Sequence, residues 1–393
     1  MQFVLLLLSA VFVAAHNMTY NAYFGLAPNN VFAYTTEDLA ANVTLVTKST
    51  ADEHLPKVDV KLTNTGNTLI EAAITNTGEY DLAILKLNNI FDHRNVRKVD
   101  INAATDGTPL AFEGIYVTPS RRTTADSWIH IAKGDVFVTK FDAADLYDLS
   151  SGGNYTVKAE GSAPIRSSTG YTDGQLVYSS NTLYMGVDGA EAARHMAARR
   201  DAEDRDLAAI QNGSGCTDEQ WERILQGMAY CHRMATRGAQ GAYDGDIRFA
   251  DYFNTDLPLV RLFVQCKLLA VADACQLVGS GKARITCLDI FQLCNYNSLA
   301  VTDAQAGIIV ICPLSLQYSP AFSPGCHQHD LATTLVHELT HIDGLHTFRG
   351  TGDYVPRNTW PYCKDLDWLD AIDNAQTYSS FAQSVFLQCD RPF

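Results

Sequence analysis

From Val58 onward the chain breaks into short apolar runs of strand length. Val58, Val60 and Leu62 alternate with polar residues; Leu69, Ala72 and Ile74 follow, and residues 83–87 form a third run. A period of two sends successive side chains to opposite faces of a strand. Asn-Thr-Gly triplets at 64–66 and 76–78 separate the runs and supply turn chemistry at hairpin spacing. Residues 128–131, 136–141 and 155–159 continue the pattern. Residues 16 to about 190 are therefore expected to be β structure, built like a sandwich.

The pattern changes at residue 189. Residues 189–206 (GAEAARHMAARRDAEDRD) are small and charged, with Met196 the sole large aliphatic, and read as an exposed linker. Beyond it Thr217-Asp218 predicts a helix start, with Trp221, Ile224 and Met228 along one face as far as about Arg237. Helices are also expected over 257–274, 331–341 and 366–387, and a small hairpin between Arg284 and Cys312. The predicted fold class is α+β and multidomain. A β-sandwich-like N-terminal part precedes a mainly α-helical part carrying a small β-hairpin or sheet.

Composition narrows the setting. A chain of 393 residues, 47% apolar, is long enough for two or three domains with proper cores. It carries 29 basic against 44 acidic residues, net −15, with no cluster of Lys or Arg. A phosphate backbone finds no counter-charge there, so nucleic acid is excluded as a partner. Residues 2–15 form an apolar run ending in Val13-Ala14-Ala15, too short to span a bilayer and shaped like a secretory signal cut near Ala15. No later stretch approaches about twenty apolar residues, so no membrane partner is expected. Sequons at Asn17, Asn42, Asn154 and Asn212 agree with export.

All ten cysteines fall between Cys216 and Cys389. An even number in an exported chain implies disulfides. The boundary between the Cys-free and Cys-rich parts holds the dibasic pair Arg199-Arg200; Arg121-Arg122 is another such pair. Cleavage after Arg200 is expected, dividing the chain into a signal (1–15), a propeptide (16–200) and a mature part (201–393) with 13 basic and 23 acidic residues. The product is expected to be secreted, extracellular and monomeric.

The chemistry concentrates at His337-Glu338-Leu339-Thr340-His341. Residues four apart share one helix face, so His337 and His341 can present imidazoles to one metal ion, and Glu338 can serve as general base beside them. Zinc requires a third protein ligand. No Glu follows Glu338, the next histidine stands at His346 where the HExxHxxGxxH spacing requires position 347, and no Met follows Met234. Aspartate remains, and Asp353 in Gly350-Thr351-Gly352-Asp353 lies twelve residues beyond His341.

HELTH followed by GTGD resembles the signature of the deuterolysin-type (aspzincin) metalloendopeptidases. Asp251-Tyr252-Phe253, the segment from Cys294 to Cys312, Cys326, and Asn374 to Tyr378 with Phe381 are also similar to that family. The likeness covers about 210–393, and the β-rich region looks like the family's propeptide. It implies a secreted zinc endoprotease made as a preproenzyme and acting on protein or peptide substrates. One Zn²⁺ per chain would be held by His337, His341 and Asp353, with Glu338 as base. It also implies the bridges Cys216–Cys287, Cys294–Cys312 and Cys326–Cys389, leaving Cys231, Cys266, Cys275 and Cys363 to pair in any of three ways. A tyrosine after Cys312 assists catalysis in the family, and Tyr318 is the nearest candidate. The family's motif continues with Tyr and Gly where Pro356 and Arg357 stand here, and an aspartate is replaced by Gln376. Those departures motivate an alternative, a weak or inactive zinc-binding relative that acts by binding. His327 and His329 are expected to be surface or supporting groups, and Asp343, Asp365, Asp367, Asp370 and Asp373 mostly a solvated face, where one of the last four could receive a ligand's imidazole N–H. The propeptide has no Cys to ligate zinc, so latency must come from steric cover or from assistance in folding.

Overall fold

The strands are the short runs that the alternation marks, plus several it does not. They are β1 (Val58–Asn64), β2 (Leu69–Asn76), β3 (Leu82–Leu85), β4 (Asp100–Ala103), β5 (Ile115–Pro119), β6 (Trp128–Ile131), β7 (Val136–Asp142), β8 (Gly153–Lys158), β9 (Glu160–Arg166), β10 (Gly174–Ser179) and β11 (Leu183–Val187). This is a computed structural model, and it describes residues 56–119, 125–166, 174–207, 210–276, 283–289, 294, 298–345, 350–353, 363, 364 and 366–390. The signal segment, Asn17, Asn42, Arg121-Arg122, His346, Pro356, Arg357 and Asp365 lie outside those residues.

Three antiparallel sheets are ordered β1-β2-β7, β10-β9-β3-β6 and β11-β8-β4. The register sets Val60 opposite Ile74 and Leu62 opposite Ala72, so the middle of one face of the first hairpin is apolar, while Asn76 lies on that face at its end, opposite Val58. Ile70, Ile74, Ile84, Ile101, Phe112, Leu146, Val157 and Leu176 meet in one shared core. Asn76 is buried among them, and its amide is fully used: it donates to the carbonyls of Tyr80 (2.8 Å) and Ile131 (3.0 Å) and accepts from Gly78 N–H (3.1 Å). A buried amide left unpaired would cost about 1–3 kcal/mol.

The helices are α1 (Gly189–Leu207), α2 (Asp218–Asp244), α3 (Phe249–Phe253), α4 (Pro258–Gln276), α5 (Pro313–Tyr318), α6 (Leu331–His341), α7 (Trp368–Ile372) and α8 (Ala375–Leu387). The stretch expected to be a linker is helix α1. Its Ala, Glu and Arg content favours helix, and Asp188 accepts the N–H groups of Ala190 and Glu191 at its start. Arg199-Arg200 thus stands within a helix. The helix expected over 366–387 is two helices, because Asp373 and Asn374 turn the chain between α7 and α8. On α2, Thr217 caps the first turn in a box with Gln220. A Cβ on Gly227 would stand 2.9 Å from Leu331 Cβ, so the absent side chain lets α2 approach α6 closely.

The hairpin expected between Arg284 and Cys312 is present and is part of something larger. β12 (Arg284–Thr286) runs parallel to β14 (Ile308–Ile311), which pairs antiparallel with β13 (Ser298–Asp303). The fourth strand of this sheet is β5, from the N-terminal region, giving the order β12-β14-β13-β5. From Pro56 onward the chain is one compact unit; the parts expected to be separate domains share a sheet. Bridges join Cys216 to Cys287, Cys294 to Cys312, Cys326 to Cys389 and Cys231 to Cys275. Cys266 and Cys363 are thiols.

Candidate active site

Helix α6 is buried along its whole length, so its polar residues need partners within the protein. Asp330 caps it, accepting from the backbone of Thr333 (2.6 Å) and of Ser323 (2.8 Å). Leu331, Leu335, Val336 and Leu339 anchor it in the core. That packing fixes the face bearing His337 and His341, whose rings stand 4.8 Å apart.

Segment 350–353 is tied to the end of α6 and the start of α8. Thr351 N–H donates to the carbonyl of Thr340 (2.9 Å), and its hydroxyl meets that of Thr340 (2.8 Å). Gly352 N–H donates to the carbonyl of Asp373 (2.7 Å), and Ala375 N–H donates to the carbonyl of Gly352 (3.0 Å). Asp343 accepts Gly350 N–H at 2.7 Å, so it holds this segment and is not the solvated acid its sequence context suggests. The result carries Asp353 to the two imidazoles, Oδ1 being 3.1 Å from His337 Nε2 and Oδ2 3.6 Å from His341 Nε2.

These atoms are close without being hydrogen-bonded. Nε2 of both histidines and both carboxylate oxygens of Asp353 are buried with no hydrogen-bond partner. His341 Nδ1–H donates to the Thr351 carbonyl (2.8 Å), which leaves the Nε2 lone pair free. Two imidazole nitrogens and a carboxylate, buried and converging, form a donor set that suits zinc. His337, Glu338 and His341 likewise lie close enough to share an ion, their ligand atoms within 4.8 Å of one another. The oxygens of Glu338, however, are already engaged: Oε2 accepts from Thr302 Oγ1 (2.6 Å) and Oε1 from Thr118 Oγ1. Asp353 is the carboxylate with lone pairs to spare.

Charges and burial act against each other here. Burial depresses the His337 imidazole, but the adjoining Asp353 carboxylate outweighs it and leaves the pKa raised. His341 is pushed down to about 4, mainly by burial. Burial opposes ionisation of Asp353, yet the two imidazoles hold its carboxyl below the usual value. Glu338 is raised above the ordinary carboxylate value by burial, despite His337 and its two hydroxyl donors. A carboxylate of raised basicity beside a metal-type donor set can take and return a proton.

Two contacts with the site come from β5, and sequence reasoning missed both. Thr118 reaches Glu338, and Tyr116 lies flat on His341 with ring centroids 4.1 Å apart and planes within 4°. No motif marks these residues; the only signal is a short apolar run between Gly114 and Pro119. Tyr318 ends α5 with its ring half exposed; among the described residues, the tyrosine stacked on a site imidazole is Tyr116. His327 and His329 line a polar cavity beside His337, with Thr118, Gln376 and Gln383 on its other walls. Asp367 caps α7, and Asp370 is raised to about 6 by burial and its acidic neighbours.

Comparison with known proteins agrees with this geometry. The model of the deuterolysin metalloprotease (M35) family matches residues 30–389. A neutral protease 2 homolog from Sclerotinia sclerotiorum is 35% identical over 338 residues, covering 84% of this chain and 91% of the relative. One from Aspergillus terreus is 33% identical over 352 residues, covering 89% and 97%. A third, from Coccidioides posadasii, is 32% identical and covers 83% and 88%. A match of that length takes in the β-rich region and the helical region alike, and with it the chain belongs to the deuterolysin metalloprotease family and is a metalloendopeptidase.

Proposed function

We propose that the chain is a secreted zinc endopeptidase, made as a zymogen and cut after Arg200. His337, His341 and Asp353 would hold one zinc ion, and Glu338 is the general base. The observation that carries this reading is the convergence of four buried, unpartnered donor atoms from those three ligands. Zinc bound there supplies Lewis acidity, polarising a peptide carbonyl and making water a nucleophile near neutral pH.

The chain's own residues do the rest. The Thr351 carbonyl fixes the His341 tautomer, and Thr340 with Thr351 sets the position from which Asp353 reaches the histidines. Glu338 accepts a proton from the attacking water and passes it to the leaving amine, while Thr302 keeps its carboxylate aimed. Four bridges brace the region that carries these groups, and disulfides of this kind suit an extracellular setting. Chelation followed by zinc add-back tests the reading. Hydrolysis of a protein substrate and the zinc content of the chain should fall and return together. Hydrolysis that persists with the metal removed would refute it.

A further inference from the structure

Building on the peptidase reading, we infer that β5 silences the uncut chain by occupying the place of an extended polypeptide substrate. The other three strands of its sheet all come from beyond residue 283, and among the described residues β5 pairs with β13 at the edge of that sheet. The antiparallel register pairs Ile115 with Asp303, Tyr116 with Thr302, Val117 with Val301 and Thr118 with Ala300. Without β5, β13 would present a row of free N–H and C=O groups, the feature that an extended peptide joins by adding a strand.

β5 does more than fill that row. Its Thr118 hydroxyl sits on Oε1 of Glu338, and its Tyr116 ring covers His341. What reaches Glu338 from this strand is a hydroxyl that offers nothing to hydrolyse. Two spaces flank the strand: the polar cavity containing Thr118 and His337, and one of about 130 Å³ bordered by Tyr116, Pro119 and Asp353. His337 and Asp353 are 3.1 Å apart, so with β5 lifted away the two spaces meet at the ligand set. The N-terminal region holds both the strand and β13. Asn88 donates to the Val117 carbonyl, and Arg94 donates to Ser298 Oγ at 3.0 Å, at the head of β13.

The test uses the full chain with Arg200→Ala to keep it uncut, its intactness checked by mass. Peptide hydrolysis and zinc content are measured for this chain, for the same chain with Tyr116→Ala and Thr118→Val, and for the processed wild-type protein. The uncut parent should be silent. The doubly substituted chain should hydrolyse peptide at least tenfold faster with unchanged zinc, and the processed protein should be fully active. If the uncut parent matches the processed protein, or if the substituted chain stays silent while holding zinc, the inference is wrong and the peptidase reading stands. If zinc-loaded processed protein is also silent, the peptidase reading falls and takes the inference with it. Should the substituted chain fail to fold, a peptide of residues 114–120 added to the processed protein decides. Competitive inhibition at millimolar concentration, weakened at least threefold by the same two substitutions, is expected; no inhibition overturns the inference.

Discussion

Gly350 and the carbonyl of His341 are in contact so close that a Cβ on the glycine would stand 2.0 Å from the oxygen. Backbone cannot yield to that extent, so any side chain at 350 must push segment 350–353 away from α6. Gly350→Ala should therefore displace Asp353 and lower zinc content. It should also destabilise the protein by about 1–3 kcal/mol, in the range of overpacking a close contact. Metal analysis with thermal unfolding checks both; a variant that keeps its zinc and its melting point would contradict the contact.

Glu338→Gln keeps size and one acceptor oxygen but loses the ability to take a proton. Hydrolysis should fall about 10²–10⁴-fold, the usual contribution of a positioned general base. Zinc content and circular dichroism should not change, since neither His337 nor His341 depends on Glu338 for its position. Full activity in this variant would reassign the base.

Asp353→Ala removes the carboxylate whose oxygens have no hydrogen-bond partner. Equilibrium dialysis should show much weaker zinc binding together with lost turnover. Unchanged zinc binding would place the third ligand elsewhere.

Four bridges and two thiols are expected from alkylation under denaturing, non-reducing conditions, with the label on Cys266 and Cys363. In the folded protein both should react slowly, because burial pushes their thiols up to about 11 and about 12. No labelled thiol in the denatured chain would mean a fifth bridge.

Mass spectrometry of the processed protein should find a mature N-terminus at Asp201. Because that bond lies in α1, its cleavage requires the helix to open locally, and processing should slow when α1 is stabilised. A mature start well before Asp201 would remove the propeptide reading.

Much of the site could be read from sequence because its spacing is local. His337 and His341 are one helical turn apart, and Leu331–His341 has the buried face and the capping Asp330 that a helix requires. Elimination reaches only the residue type, since no Glu but seven Asp follow Glu338; the choice of Asp353 among them rests on the likeness of GTGD to the family signature. Thr118 was out of reach, because its partnership with Glu338 spans 220 positions and leaves no periodic trace. The same holds for β5, a five-residue strand buried on both faces, which lacks the alternation that marks β1 and β2. Residues 189–206 were misread for another reason. Small and charged residues suit a loop by polarity and a helix by propensity, and here propensity prevailed.

Chain order adds a temporal consequence. A ribosome delivers Ile115–Pro119 long before it delivers Glu338, and growing chains acquire structure from the N-terminus first. Cys389, whose bridge to Cys326 pins the approach to α6, arrives later than both. The carboxylate of Glu338 is thus born into a molecule that already holds its partner hydroxyl, and the proteolytic centre need never stand open inside the cell that makes it.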